Sequence, residues 1–102
     1  MGRLEELKKL AEASPDDPLA HYAVGLEYAH SGELDRAIEA FAAALRADAK
    51  YVPAYYHKAR AELKAGRAAA ARQTLKIGME YARAAGDAKT AREMQDLLDT
   101  IR

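Results

Sequence analysis

The sequence predicts an all-α fold of about six helices, stacked as antiparallel hairpins, and three observations predict it. Alanine supplies about a quarter of the 102 residues, against 6 glycines, 3 prolines and few valines, isoleucines or threonines, so summed propensity favours helix nearly everywhere and disfavours strand. Apolar residues recur at three- and four-residue intervals in one segment after another, which is the period of an amphipathic helix. The breaks between segments are two to six residues long and rich in Gly, Pro, Ser and Asp; connections that short force neighbouring helices to lie antiparallel. A chain of this length makes one domain around one core.

In the first segment Leu4, Leu7, Leu10 and Ala11 are interleaved with Glu5, Glu6, Lys8 and Lys9, giving a helix that ends near Ala13, where Ser14-Pro15-Asp16-Asp17-Pro18 stops it. Asp17 is a good N-cap and Pro18 suits the first helical position, where a missing N–H costs nothing. A second helix therefore runs from about Pro18 to His30 and breaks at Ser31-Gly32. Glu33 and Asp35 favour the start of a third helix through its dipole, and Leu34, Ala37, Ile38, Phe41, Ala44 and Leu45 form its apolar stripe up to about Asp48. The fourth helix starts around Pro53 and ends before Ala65-Gly66, and the fifth runs from about Arg67 until Gly86, which suits a C-terminal stop. Asp87 caps a sixth, in which Ala91, Met94, Leu98 and Ile101 make a narrow stripe. Lys89, Arg92, Glu93, Gln95, Asp96, Asp99 and Arg102 cover the rest of it.

Sixteen basic and 16 acidic residues, interspersed, give a net charge of zero, so there is no footprint for nucleic acid or an anionic membrane. The lack of cysteine removes disulfides, thiolate zinc sites and cysteine nucleophiles. Met1-Gly2-Arg3-Leu4-Glu5-Glu6 puts charges where a signal peptide needs an apolar stretch, and no run approaches a membrane span; a soluble cytoplasmic protein is expected. His21, His30 and His57 show no metal-ligand spacing, with packing expected for His21 and solvent for His30. There is no phosphate loop, nucleophile elbow or serine with a base beside it, and the carboxylates sit near bases at helix-surface spacings, as solvated ion pairs do. Neither an enzyme nor a cofactor is expected.

Shifting the chain by 34 residues places Ala20 on Ala54, Tyr22 on Tyr56, Gly32 on Gly66 and Ala37 on Ala71 without a gap, with near-matches of His21 to Tyr55, Gly25 to Ala59, Phe41 to Leu75, Ala44 to Gly78 and Leu45 to Met79. This pattern resembles the tetratricopeptide repeat: an aromatic, Leu-Gly, Tyr, then after the turn Ala, Phe and Pro. The first unit offers His21, Val24-Gly25, Tyr28, Ala37 and Phe41, with Ala49 at the proline place. The second offers Tyr55, Lys58-Ala59, Glu62, Ala71 and Leu75, so Lys58 and Glu62 depart from the pattern. Gly25, Ala37, Ala44, Ala59, Ala71 and Gly78 are small where helices must approach closely, Gly25 being expected to face the next helix near Ala37.

The resemblance implies a right-handed superhelix of helical hairpins and one domain over 1–102, divided into a half-repeat helix (1–17), two repeats (18–51 and 52–85) and a capping helix (86–102). It implies a small bacterial-type protein that binds a partner peptide or protein segment in a concave groove lined by the first helix of each hairpin. The equivalent residues are Tyr22, Leu26 and His30, then Tyr56, Arg60 and Lys64, a run from two tyrosines and a leucine to two cations that suits an apolar residue with a nearby carboxylate. Read by themselves, Tyr22 and Tyr56 fit either groove or inter-hairpin core. The carboxylate clamp of chaperone-binding members uses lysine and asparagine where this chain has Tyr22 with Leu26 and Tyr56 with Arg60, so that route is not implied. The alternative is a self-assembling structural protein that forms homo-oligomers through its first or last helix; apolar surface on the outer side of either would favour it.

Overall fold

The structure, a computed structural model, describes residues 2–101; the assignment of Arg102 to the polar side of the last helix lies outside the described residues. Six helices follow in order: α1 (Arg3–Ala13), α2 (Pro18–His30), α3 (Leu34–Ala47), α4 (Val52–Lys64), α5 (Ala68–Ala84) and α6 (Ala88–Asp99). The described residues contain no strand.

Local chemistry sets the boundaries. The Asp17 carboxylate accepts from the Leu19 N–H at 3.0 Å ahead of Pro18, and that of Asp87 accepts from the Thr90 N–H at 3.1 Å, so both side chains take up amides that the helix itself leaves unpaired. Three helices end on a left-handed glycine: Gly32, Gly66 and Gly86 have φ of 80°, 81° and 75°. After α2 the N–H of Gly32 reaches Ala29 O and that of Glu33 reaches Tyr28 O; Leu63 O and Glu62 O serve Gly66 and Arg67 after α4 in the same way, and Arg83 O and Ala82 O serve Gly86 and Asp87 after α5. This double closure requires a residue free of the Cβ penalty at positive φ.

Each helix packs on the next in sequence, and α4 also packs on both α2 and α6, whereas the backbones of α1 and α3, like those of α3 and α5, do not come close. The helices thus form two rows, α2–α4–α6, in which α4 packs on both of the others, and α1–α3–α5, whose backbones are spread further apart. A stack that is closer on one side is curved, with the α2–α4–α6 row on its concave side; the whole is a right-handed superhelix of antiparallel hairpins measuring 39 × 29 × 18 Å.

All six small positions are buried. A Cβ on Gly25 would lie 2.5 Å from Cε1 of Phe41, so Gly25 closes on that ring, one turn beyond Ala37. A Cβ on Gly78 would lie 2.5 Å from the Cβ of Tyr55. Phe41 anchors one apolar cluster, with Val24, Tyr28, Ala37 and Ala61. Leu75 and Met94 anchor the other, with Tyr55, Ala59 and Met79.

The 34-residue equivalence extends to polar contacts. The His21 ring donates from Nε2 to Pro15 O at 2.7 Å, and the Tyr55 hydroxyl donates to Ala49 O at 2.7 Å; both tie the start of a concave-row helix to the connection before it. The expectation of solvated carboxylates fails at Glu62, which is 4% exposed. Its Oε2 accepts from Lys58 Nζ at 2.9 Å and its Oε1 from Thr74 Oγ1 at 2.8 Å. The departures at Lys58 and Glu62 therefore leave α4 regular, because each side chain neutralises the other and Thr74 on α5 completes the set.

Candidate functional site

Tyr22, Leu26 and His30 follow one another at four-residue spacing on α2, and Tyr56, Arg60 and Lys64 do so on α4, so each trio occupies one helix face. Because α2 and α4 touch, the two faces adjoin. Leu26 and His30 join Arg60 and Lys64 around one depression of about 220 Å³, completed by Ala29, Leu34, His57 and Ala61. Four of the eight lining residues carry basic groups and none carries a carboxylate. Arg60, Lys64 and His30 are exposed and Leu26 is half-buried, so a polar, basic rim borders a partly apolar wall.

The two tyrosines stand beside this depression, outside its lining. Tyr22 is half-buried, its ring centroid 5.9 Å from Phe41, 5.3 Å from Tyr51 and 5.6 Å from His57. Desolvation by burial, reinforced by Tyr51, pushes its hydroxyl pKa up, so it stays a neutral donor. Tyr56 is half-buried against the Leu75–Met94 cluster and carries the Arg60 guanidinium over its ring, 5.8 Å from the centroid, a cation–π contact that steadies the arginine at the edge of the depression.

Sequence reasoning passed over His57, which joins the two halves. It lines the depression and also meets Tyr22, Phe41 and Tyr56 at 5.6, 6.1 and 5.5 Å. Burial, and then the charge of Arg60, lowers its pKa below the usual histidine value, so the ring is neutral at neutral pH. Its one available signal was the repeat itself: the shift places it on Ala23, beside the tyrosine pair. His30 is in solvent as expected, at the rim.

Among the described residues no group of three or more His, Cys, Asp or Glu is placed to hold a metal ion, and no helix is long and apolar enough to cross a membrane.

The family model for the tetratricopeptide repeat matches residues 28–94, more than half of the chain. A tetratricopeptide repeat domain protein from Salinibacter ruber is similar at 30% identity and a TM-score of 0.79, covering 87% of this chain and 90% of that one. A protein from Bordetella parapertussis is similar at 27% identity and 0.84, covering 99% and 88%. The TPR2B domain of yeast Sti1, solved in a pHsp70 complex, has the same fold at 22% identity and a TM-score of 0.89, covering 93% and 76%. So has the Yersinia enterocolitica type III secretion translocator chaperone SycD, at 19% and 0.89, covering 96% and 68%. No curated protein sequence matches.

Proposed function

Because the chain belongs to the tetratricopeptide repeat family, we propose that it is a non-enzymatic interaction module, in a bacterial cytoplasm, holding one extended segment of a partner protein in the groove between α2 and α4. The observation that carries this reading is the depression in which Leu26, His30, Arg60 and Lys64 converge with His57, with four basic residues and no carboxylate in its lining. In this reading Tyr22 and Tyr56 supply the apolar end, Arg60 and Lys64 steer a carboxylate, and the partner segment carries both an apolar residue and an acid. Residues 18–51 and 52–85 are the two repeats, 1–17 the second half of another and 86–102 the cap. The recurrence of the His21 and Tyr55 hydrogen bonds 34 residues apart supports the repeat division. Partner identity does not pass from the Sti1 domain or SycD, whose likeness is one of fold.

A single groove of this kind supports a transient affinity on the order of 1 to 100 μM. The test is titration of an unbiased peptide library against the parent protein, Tyr56→Ala, and Arg60→Ala combined with Lys64→Ala, with a melting curve for each. The tyrosine change removes most of the affinity and the double change flattens its salt dependence, while all three forms stay folded. A Tyr56→Ala protein that loses several kcal/mol of stability instead would make the ring core and refute the groove.

One observation favours the second reading, self-association. Leu10 and Leu19 are 59% and 58% exposed, and with Leu7, Ala20 and Ala23 they line a hollow at the free α1–α2 end of the stack. The outer side of α6 is charged, with Lys89, Arg92, Glu93, Asp96 and Asp99 exposed, so association would use the α1 end. A monomeric mass by light scattering at high concentration removes this reading.

A further inference from the structure

The spread row leaves a gap that the touching row does not. The α3 and α5 backbones stand apart, linked at one end by the Asp35–Arg67 ion pair at 2.6 Å, and a cleft of about 320 Å³ opens between them over α4. Leu45 and Arg46 form one wall, Thr74 and Ile77 the other, and Tyr55 and Lys58 the floor. The Tyr55 hydroxyl is committed to Ala49 O. The Lys58 ammonium donates to Glu62 Oε2 at 2.9 Å and to Thr74 Oγ1 at 3.3 Å. An ammonium carries three N–H groups, so one remains for the cleft. Arg46 is paired with Glu39 at 3.7 Å, both side chains well exposed, and such a pair is weak enough to be exchanged. No carboxylate lines the cleft.

The repeat supplies an internal control. One period earlier, Lys58, Glu62 and Thr74 correspond to Val24, Tyr28 and Ala40, while Leu45, Arg46 and Ile77 correspond to Ala11, Glu12 and Ala43. Val24 and Tyr28 are buried in the same hairpin geometry without a charge between them. The fold therefore does not need an ion pair at these places, and a buried pair is seldom more stabilising than apolar side chains of similar volume. Over the same interval the walls grow from alanine to leucine and isoleucine, and the rim changes sign from Glu12 to Arg46.

We infer that the α3–α5 cleft is a second recognition site, on the face opposite the groove, that takes the C-terminal aliphatic residue of a partner chain. The side chain lies between Leu45 and Ile77, and the terminal carboxylate lies between the Lys58 ammonium and the Arg46 guanidinium. A chain end is the occupant because the apolar side chain and the charge must share one cleft of about 320 Å³ that α4 closes from below; in a terminal residue both leave the same Cα. The inference does not rest on the α2–α4 groove.

The probe is N-acetyl-leucine, which mimics a C-terminal leucine, with its primary amide as the uncharged control. Titration of 15N-labelled protein should move the backbone amides of residues 42–46 and 74–77, saturating with a dissociation constant on the order of 1 to 10 mM for a ligand this small. The amide should bind at least about fivefold more weakly at those residues. Ile77→Ser and Arg46→Gln, both at exposed positions, should each weaken the acid without lowering the melting temperature. Lys58→Val with Glu62→Tyr and Thr74→Ala transplants the first hairpin's set, so it should fold and lose the preference for acid over amide. Shifts confined to α2 and α4, equal binding of acid and amide, or an unchanged preference in the triple variant would each overturn the proposal.

Discussion

Gly25→Ala puts a methyl group where the structure has none to spare. The new carbon would lie 2.5, 2.6 and 3.0 Å from Cε1, Cδ1 and Cζ of Phe41, whereas carbon atoms pack best at about 3.5–4.0 Å. The ring has little room to retreat: Phe41 is 0% exposed, with the Tyr22 and His57 rings at 5.9 and 6.1 Å from it. Alanine gains about 1 kcal/mol in helix propensity, and overpacking of a rigid core costs about 1–3 kcal/mol. With three close contacts the upper half of that range applies, leaving a net loss of about 1–2 kcal/mol, or roughly 4–16 °C in melting temperature for a domain of this size. Thermal unfolding followed by far-UV circular dichroism measures it. In a Phe41→Leu background the clash is relieved, so the same substitution should cost less or stabilise, and the coupling between the two sites measures the contact. An alanine variant that melts at or above the parent temperature would refute the account of why this position is glycine.

Three further outcomes follow from the same structure. Lys58→Met alone leaves the Glu62 carboxylate buried beside Thr74 without its cation, and should cost about 3–5 kcal/mol in a urea titration; a loss below about 1 kcal/mol would show that Glu62 finds water or another partner. The folded-state pKa of His57 lies below its ordinary 6.5, so between those two values the unfolded chain binds more protons. Stability is therefore complete above about 6.5 and falls as pH drops through that window, and His57→Gln should flatten this part of the stability–pH curve relative to the parent. Deleting residues 87–102 uncovers Gly78 and Tyr55 where Met94 now packs and should give aggregation or dimerisation, read by light scattering; a monomeric truncation of unchanged stability would show that α6 is no cap.

The elements were legible because their ends are chemical. Asp17-Pro18, Asp87 and the glycines at 32, 66 and 86 each act on the backbone beside them, so a sequence read residue by residue locates the turns. Two helix starts moved by one residue, α4 opening at Val52 and α5 at Ala68, where neither Tyr51 nor Arg67 makes a side-chain cap. The resemblance pointed to Tyr22, Leu26 and His30 and to Tyr56, Arg60 and Lys64, and the 34-residue period made legible that the two trios hold equivalent places on α2 and α4. What the sequence concealed depends on three-dimensional neighbours. Nothing local distinguishes Glu62, buried against Thr74 twelve residues away, from a surface glutamate. Nothing local shows that His57 sits among rings from α2 and α3, or that the tyrosines flank the depression instead of lining it.

The arrangement of contacts also governs how the protein comes apart. Every helix meets its neighbours in sequence, the longest links being those of α4 to α2 and α6, and no contact closes α1 or α2 onto α5 or α6. No distant segments must find one another before packing is rewarded, so loop-closure entropy is small and folding belongs to the fast, low-contact-order class. Loss of structure is graded for the same reason. α1 has a single helical neighbour and one buried residue, Ala11, so its amides exchange with solvent through fraying while α4, held by α2, α3, α5 and α6 at once, still waits for the whole molecule to open.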